Sequence, residues 1–387
     1  MRPKALAVAS GCVALVLLWQ VLTVRHSYGG NWTGLFCTGE RQRIPSELLS
    51  ERIYALPSSY GYDGQFYHYI AHEPLGRTQL AGYVDTPPLR YRRILVPALA
   101  YLLAAGQPRF IDGAYYAVVL LFIILGVYWT SRFAMLHRRH PLWGALFLAV
   151  PATLSSIDRM TVDVALAALC AGFAFYATLG RCGRIYMILI AAPLVRETGL
   201  TLTAAYCLWA FFRKDWRAVL FGCFTALPFL CWSLYVWRHF GTYFAGWLSP
   251  IPLREIVEVI RHPYPYPWDA TSNALALSGD LLALAGSVMA VGLALRFGVK
   301  RSGGLLEVAV FAWGAVGLGL VLFGSTDVWI HGYGHARLLS PVVLFVALRG
   351  LPRSTWSDFA PIPLSLPRIA LQVLSQVSLV VRGLLFG

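Results

Sequence analysis

The sequence predicts an all-α fold, a polytopic membrane bundle of about ten transmembrane helices whose long first outer loop carries juxtamembrane helices. Three observations predict it. Of the 387 residues, 58% are hydrophobic and only 13% are charged, whereas soluble domains carry roughly 25% charged residues. Apolar segments of about 20 residues, long enough to cross a hydrocarbon core, recur along the chain. Short clusters of Lys and Arg separate these segments, as cytoplasmic loops do.

The net charge of +14 indicates membrane topology rather than nucleic-acid binding. The basic residues lie between apolar segments instead of forming a patch on a soluble domain. We therefore expect contacts with anionic lipid headgroups in the bilayer and no nucleic-acid partner. The seven cysteines show no metal-ligand spacing and mostly fall inside apolar segments, so we interpret them as small core residues.

The positions of the basic clusters decide the expected topology. Residues 5–24 are predicted to be a membrane helix with the N-terminus in the cytoplasm, because this apolar run is longer than a signal-peptide core of about 7–15 residues. Residues 93–106 are apolar but too short to span, which favours a juxtamembrane or re-entrant helix. The remaining expected spans are 112–131, 142–157, 162–180, 184–195, 198–212, 217–237, 281–296, 305–324 and 338–349.

Two polar stretches are predicted to be outer loops. The first covers about residues 25–92, and the second, rich in Pro and aromatic residues, covers about 238–280. We expect residues 1–350 to form one transmembrane domain. Residues 351–387 form a C-terminal tail, in which 369–386 are apolar enough for either a further span or an interfacial helix.

Most apolar segments have a basic cluster at one end, and the acidic residues gather at the opposite end. With this topology only Asp215, Glu307 and Asp358 of the 18 acidic residues lie on the cytoplasmic side. Asp63, Asp158, Asp163 and Glu197 are among those expected outside, together with Arg196 and Arg337. The outer face of the bundle is therefore where we expect chemistry.

Asp63 is the leading candidate for a catalytic base. It lies in the run Gly61-Tyr62-Asp63-Gly64-Gln65-Phe66-Tyr67 of the first outer loop. A carboxylate at this position is also suited to capping an amphipathic helix, which is the plain structural interpretation. The alternative is a general base at the membrane surface, in a pocket shaped by the neighbouring rings.

Several short motifs resemble the multi-pass glycosyltransferases of the GT-C class, and most closely their bacterial members. These motifs are Tyr62–Tyr67, the run Pro87-Pro88-Leu89-Arg90-Tyr91-Arg92-Arg93 before a short apolar helix, Asp158–Asp163, Arg196–Gly199 and His335–Leu339. The resemblance covers most of the chain. It implies transfer of a sugar from a polyprenyl-phosphate donor, with Asp63 as the catalytic base. The chain lacks a sequon-reading motif and an Asp-Glu pair in the first loop, so a protein acceptor is not expected.

The resemblance also implies a set of substrate-binding residues and roles for them. Cationic side chains would stabilise the departing phosphate, and Arg suits this because its planar fork donates two parallel hydrogen bonds. The implied residues are Tyr62, Gln65, Tyr67, Arg92, Arg93, Asp158, Asp163, Arg196, Glu197 and Arg337.

Some of these residues have equally good structural interpretations. Arg196 sits between two apolar segments, where it needs compensation by either an ion pair with Asp158 or Asp163 or a contact with the donor phosphate. Arg92 and Arg93 would also serve as interfacial anchors that snorkel to lipid headgroups.

The sequence predicts no specific metal ligands, although the resemblance is compatible with a divalent metal. An acidic residue at the position of Asp158 helps to hold such a metal in some members of the class. His331 and His335 are spaced as ligands on a helix would be, but Gly332 and Gly334 argue against a helix there.

The expected function is an inverting glycosyltransferase that decorates a glycolipid or cell-surface glycan at the extracytoplasmic face of the bacterial inner (plasma) membrane. The alternative from another class is a transporter or flippase of lipid-linked saccharides, which should show broken helices in two related halves. A glycan polymerase or ligase is a second enzymatic alternative.

Overall fold

The computed structural model describes residues 2–242, 248–266, 268–296 and 303–386. Positions 243–247 and 267 of the predicted second outer loop lie outside the described residues. The all-α prediction is confirmed for the part of the chain that is described, because the strands there are two short segments, β1 (Thr38–Gly39) and β2 (Ala55–Leu56). They pair in parallel, with Thr38 opposite Ala55 and Gly39 opposite Leu56.

The α-helices are numbered in chain order. They are α1 (Arg2–Ser27), α2 (Asp63–His72), α3 (Pro87–Arg90), α4 (Leu95–Leu103), α5 (Pro108–Leu136), α6 (Pro151–Arg159), α7 (Asp163–Leu179), α8 (Cys182–Val195), α9 (Leu200–Phe212), α10 (Trp216–Phe224), α11 (Leu227–Phe240), α12 (Arg254–Arg261), α13 (Ala270–Leu295), α14 (Leu305–Phe323), α15 (Thr326–Trp329), α16 (Gly332–Leu338), α17 (Ser340–Arg353) and α18 (Pro361–Phe386). Short 3₁₀ helices cover Trp32–Phe36, Ser46–Glu51, Gln79–Tyr83, Pro141–Ala149, Glu197–Gly199 and Trp356–Asp358.

The helices make this a multi-pass membrane protein. Within the described ranges, five helical segments are long and apolar enough to cross a bilayer: α1, α5, Trp216–Phe240, α13 and α14. The number rises to eight if each of three bent helix pairs counts as one span. Helices α7 and α8 are apolar but shorter. The figure of about ten spans therefore stays a prediction.

Two short helices form the centre of the bundle. Every residue of α7 from Asp163 to Phe175, and every residue of α17 from Ser340 to Leu351, is buried. Helix α7 packs against α5, α8 and α17, while α13 packs against α14, α17 and α18. Large apolar side chains on the outside of α1, α10, α11 and α18 remain exposed, as expected for helices that face lipid tails.

Three breaks in the helices bring polar residues into the bundle. The Pro141–Ala149 segment meets α6 at 66°, and α16 meets α17 at 59°. Between α8 and α9 the chain leaves the helix at Arg196, whose backbone is extended, and resumes at Leu200. Pro151 is the first residue of α6 and Pro341 the second residue of α17, positions in the first turn at which proline costs no hydrogen bond. Arg196 lies at the break between α8 and α9, Arg337 lies just before the bend at α17, and Asp158 lies at the C-terminal end of α6.

The predicted first outer loop, residues 25–92, is a compact layer of short elements. It contains both strands, three of the 3₁₀ helices and the helices α2 and α3. Helix α2 packs against α4 and α5, and its residues from Gly64 to Ala71 are all buried. The loop is therefore packed onto the bundle, with Asp63 at the start of its longest helix.

Candidate functional site

Asp63 lies between two arginine side chains that come from different parts of the chain. Its Oδ1 accepts a hydrogen bond from Arg90 Nη2 at 2.9 Å, and its Oδ2 accepts one from Arg337 Nη2 at 2.7 Å. Arg90 is only 7% exposed and also binds Asp85 through two nitrogens, at 2.9 and 2.8 Å. The carboxylate is thus held by α3 and α16 at the N-terminus of α2.

The local sequence explains why Asp63 reaches this position. Gly61 has a φ of +77°, a left-handed backbone conformation that residues other than glycine rarely adopt. Gly64 packs directly on the backbone of Arg159 and on the carbonyl oxygen of Phe36, where a Cβ atom would collide. The two glycines flanking Tyr62 and Asp63 therefore let the start of α2 sit against α6.

A second carboxylate, Asp163, extends the charge cluster into the bundle. Arg196 forms an ion pair with Asp163 Oδ1, and Arg337 Nε lies 3.5 Å from Asp163 Oδ2. Arg196 is 5% exposed and Asp163 is also 5% exposed. The predicted ion pair of Arg196 is therefore present, and its partner is Asp163.

Arg196 and Arg337 nevertheless keep donors that the protein does not satisfy. Arg196 Nε and Arg337 Nη1 are buried and have no hydrogen-bond partner among the described residues. Buried donors are almost always paired, and an unpaired one on a charged group is especially costly. These two arginines therefore keep hydrogen-bonding capacity that their ion pairs do not use.

Arg93 and Glu197 form a second, bidentate ion pair beside the first cluster. Arg93 Nε and Nη2 donate to the Glu197 carboxylate at 3.1 and 2.6 Å, and Arg93 Nη1 lies 3.3 Å from Tyr67 Oη. Arg93 is buried, so this pair anchors the beginning of α4 to the break between α8 and α9. Its position favours a role in supporting the site.

On the other side of Asp63, Arg159 is enclosed by two tyrosine rings. Its guanidinium carbon lies 4.4 Å from the Tyr62 ring centroid and 4.8 Å from the Tyr333 centroid, within cation–π range. Arg159 Nε also donates to Asp158 Oδ2 at 3.2 Å. Tyr62 and Asp158, both predicted from the sequence, thus belong to one aromatic and charged group.

Two cavities flank this arrangement. One, of about 350 Å³, is lined by three arginines, Arg90, Arg196 and Arg337, and by two acidic residues, Asp85 and Asp327. The other, of about 360 Å³, is lined by Tyr62, Asp158 and Arg159, and on its far side by residues of α18. Asp63 follows Tyr62, which lines the second cavity, and pairs with Arg90 and Arg337, which line the first, here called the cationic cavity.

The surroundings of Asp63 lower its pKa. Burial by itself raises the pKa of the carboxyl, but the guanidinium groups of Arg90 and Arg337 lower it to well below the usual range. Burial raises the pKa of the adjacent Tyr62 phenol, which therefore stays neutral at physiological pH. In this state Asp63 is an ionised but weakly basic carboxylate.

Two of the sequence-predicted residues lie apart from the charge cluster. Arg92 donates to the carbonyl oxygen of Pro88 at 2.8 Å and lines a different cavity with residues of α11. Gln65 binds the backbone of Gly39 and Tyr60, at 3.1 and 3.0 Å. Gln65 therefore holds the first outer loop together instead of facing either flanking cavity.

Sequence reasoning missed Arg90 and Arg159 as members of the site. Both lie inside motifs that were recognised, Arg90 two positions before Arg92 and Arg159 next to Asp158. The available signal was spacing: α3 begins at Pro87, and Arg90 is the residue one helical turn later. The prediction that Gly332 and Gly334 prevent a helix between His331 and His335 is also wrong, because both glycines lie in α16.

A cluster of His and acidic side chains lies at the C-terminal end of α2. Glu51, His68, His72 and Asp112 bring their ligand atoms within 4.8 Å of one another. The spacing of His68 and His72, four residues apart on a predicted helix, was the signal that sequence reasoning overlooked. His331 and His335 are not part of such a group among the described residues.

The comparisons with known proteins do not assign this chain to a family. No protein-family model matches the sequence, and neither the curated proteins nor the solved structures give a match.

Proposed function

We propose that this protein is an inverting glycosyltransferase, which moves a sugar from a polyprenyl-phosphate donor to a hydroxyl group of a glycolipid or cell-surface glycan. We further propose that it lies in the bacterial inner membrane with its N-terminus in the cytoplasm and about ten spans. The Asp63 cluster then faces the extracytoplasmic side. The GT-C resemblance of its motifs supports the same activity.

The observation that carries the proposal is the set of arginines in the cationic cavity. Arg90, Arg196 and Arg337 line it, and two of them keep buried N–H donors without a partner. A phosphate group offers several acceptor oxygens to such donors and forms charge-assisted hydrogen bonds with guanidinium groups. A lipid-linked phosphate would enter this cavity with its chain in the bilayer.

Donor binding would also activate Asp63. In the absence of an anion, Arg90 and Arg337 lower the pKa of Asp63 and so weaken it as a base. A donor phosphate competes for the same N–H groups, which removes part of that stabilisation and raises the basicity of the carboxylate. The base therefore becomes effective when the donor is in place.

The transfer step needs only groups that are close to one another. The acceptor hydroxyl oxygen attacks the anomeric carbon of the sugar, and its proton passes to Asp63. The bond between the anomeric carbon and the phosphate oxygen breaks, and polyprenyl phosphate leaves with the electron pair. Arg90, Arg196 and Arg337 stabilise the developing charge on the phosphate. The cavity lined by Tyr62 and Asp158 binds the acceptor.

The proposal is tested with purified protein in detergent and a panel of radiolabelled polyprenyl-phosphate sugars. We expect one donor to support transfer to a glycolipid acceptor, with inversion at the anomeric carbon. A product of retained configuration would contradict the single-displacement step. Failure with every donor, while the protein remains folded, would contradict the proposed activity.

Bent helix pairs favour a second candidate function, a transporter or flippase of lipid-linked saccharides. Transporters place substrates at discontinuous helices, and the breaks at 66° before α6 and 59° before α17 are of that kind. The two functions separate in one comparison. An enzyme forms product in detergent without sealed compartments, whereas a transporter forms none and moves labelled lipid only across a reconstituted vesicle membrane.

A further inference from the structure

We propose that Glu51, His68, His72 and Asp112 form a tetrahedral site for Zn²⁺ that fastens the first outer loop to the bundle. The four residues come from three separate elements. Glu51 ends the 3₁₀ helix Ser46–Glu51, the two histidines lie one turn apart on α2, and Asp112 lies at the beginning of α5. This site is distinct from the Asp63 cluster and does not depend on the proposed transfer activity.

Three of the distances between ligand atoms are close to those of a zinc site, and those of Asp112 lie on either side of it. Zinc binds His nitrogen and carboxylate oxygen at about 2.0–2.2 Å, so tetrahedral ligands are about 3.3 Å apart. The His68 and His72 Nε2 atoms are 3.2 Å apart. Glu51 Oε2 is 3.6 Å from His68 Nε2, and Glu51 Oε1 is 3.4 Å from His72 Nε2. Asp112 Oδ1 is 2.7 and 3.9 Å from the two nitrogens.

Hydrogen bonding alone satisfies this group poorly. The Nε2 atom of His68 is surrounded by Asp112, His72 and Glu51, but an imidazole nitrogen carries at most one hydrogen. Glu51 Oε2 is buried and has no hydrogen-bond partner in the described parts of the chain. A cation at the centre would accept a lone pair from all four side chains at once, which no arrangement of protons achieves.

The charge and the burial of these side chains also favour a bound cation. The His68 side chain is fully buried, His72 is 4% exposed, and Glu51 is 16% exposed. The carboxylates of Glu51 and Asp112, of which Asp112 is 25% exposed, repel each other, and a divalent cation offsets that repulsion. The Phe36 ring stacks on the His68 ring at 4.1 Å, with an angle of 8° between the planes, which fixes the orientation of the imidazole.

The expected role of the ion is structural. Among the described residues no fifth His, Cys, Asp or Glu belongs to the cluster, and closed four-ligand sites are typical of structural zinc. His68 is five residues after Asp63 on the same helix, about 7.5 Å along its axis. An ion here would hold the C-terminal half of α2 against α5 and so keep the Asp63 end of the helix in place.

The test uses the full-length protein in detergent, stripped with a chelator and then dialysed against Zn²⁺ or Co²⁺. We expect about one Zn²⁺ per chain by elemental analysis, a higher thermal unfolding midpoint when zinc is restored, and the intense visible absorption of tetrahedral Co²⁺. Glu51→Gln and His72→Gln should each weaken zinc binding by roughly 10-fold or more, since changes in outer-shell partners alone cost about 10–100-fold.

His262→Gln is the matched control. His262 Nε2 lies 3.9 Å from Glu258 Oε1 on α12, and both side chains are exposed, so this pair reports adventitious binding. The control should bind zinc like the unmodified protein. Equal zinc binding by Glu51→Gln, His72→Gln and the control would overturn the site, as would a weak octahedral Co²⁺ spectrum. The spectrum of the unmodified protein decides the matter even if His72→Gln does not fold.

Discussion

The guanidinium group of Arg337 donates to the carboxylate of Asp63 across 274 residues of sequence, at 2.7 Å. The pair joins the N-terminus of α2, in the predicted first outer loop, to α16, at the bend before the central helix α17. Arg337 also approaches Asp163 on α7. One side chain therefore links the outer loop, the bundle centre and the cationic cavity.

Arg337→Gln should destabilise the protein strongly. It leaves the carboxylates of Asp63 and Asp163 without one of their cationic partners in a buried site, a loss worth about 3–5 kcal/mol of unfolding free energy. Arg254→Gln is the matched control, since Arg254 is 60% exposed and 4.0 Å from Glu255, and should cost under about 1 kcal/mol. Denaturation of both variants in the same detergent measures the difference. Equal effects would contradict the assigned importance of Arg337.

Arg90 and Arg92 should differ sharply although they are two residues apart. Arg90 binds Asp63 and lines the cationic cavity, whereas Arg92 binds the Pro88 carbonyl and lines another cavity. Arg90→Gln should raise KM for the sugar donor and lower kcat/KM by roughly 10-fold or more, the value of one charge-assisted hydrogen bond. Arg92→Gln should change kcat/KM by less than about 3-fold. The reverse order would exclude the cationic cavity as the donor site.

Gly64→Ala should disturb the site without altering a charge. A Cβ atom at Gly64 would lie 2.8 Å from the Phe36 carbonyl oxygen and even closer to that of Arg159, so the start of α2 must move away from α6. We expect a lower unfolding midpoint and reduced transfer. Gly113→Ala, in the first turns of α5, meets no atom within 4 Å. It should be neutral, or stabilising by up to about 1 kcal/mol as in other helices.

The stability contributed by Asp63 should depend on pH in the acid range. Burial raises the pKa of this carboxyl, but Arg90 and Arg337 lower it further than burial raises it. Its stabilising contribution is therefore fully present above the unfolded-state pKa of about 3.9 and is lost as the pH falls towards the folded-state value.

Unfolding midpoints of the unmodified protein and of Asp63→Asn, measured from pH 7 downward, test this sign. The advantage of the unmodified protein should be constant from pH 7 to about pH 5 and shrink below about pH 4. An advantage that increases on acidification would show that Asp63 takes up a proton on folding, contrary to its ion pairs.

The fold class could be predicted from composition because a chain that crosses lipid must satisfy its backbone hydrogen bonds internally, which favours helices. Runs of apolar residues at α1, α5, α13 and α14 were recognisable without tertiary information. The bends were not, since the 66° angle before α6 and the 59° angle before α17 depend on packing around Pro151 and Pro341. A helix count based on length alone treats such broken segments as whole spans.

The candidate site was predictable in its residue types but not in its pairings. Asp63, Asp163 and Arg337 were identified through the motifs that resemble the GT-C class, and Arg196 also because a charge between two apolar segments needs compensation. Which arginine meets which acid depends on the angles between distant helices, so Arg90 was overlooked in favour of Arg92. The His68 and His72 pair was visible as a spacing, whereas Glu51 and Asp112 join it only through the fold.

The rate of sugar transfer by Asp63→Asn tests the central proposal most directly. Single-turnover transfer from a labelled polyprenyl-phosphate sugar should fall by roughly 10²–10⁴-fold, the usual value of a general base. Glu47→Gln, an equivalent change at an exposed residue of the same loop, should keep a rate within about 2-fold of the unmodified protein. An Asp63→Asn protein that transfers sugar as fast as the Glu47→Gln protein would contradict the account.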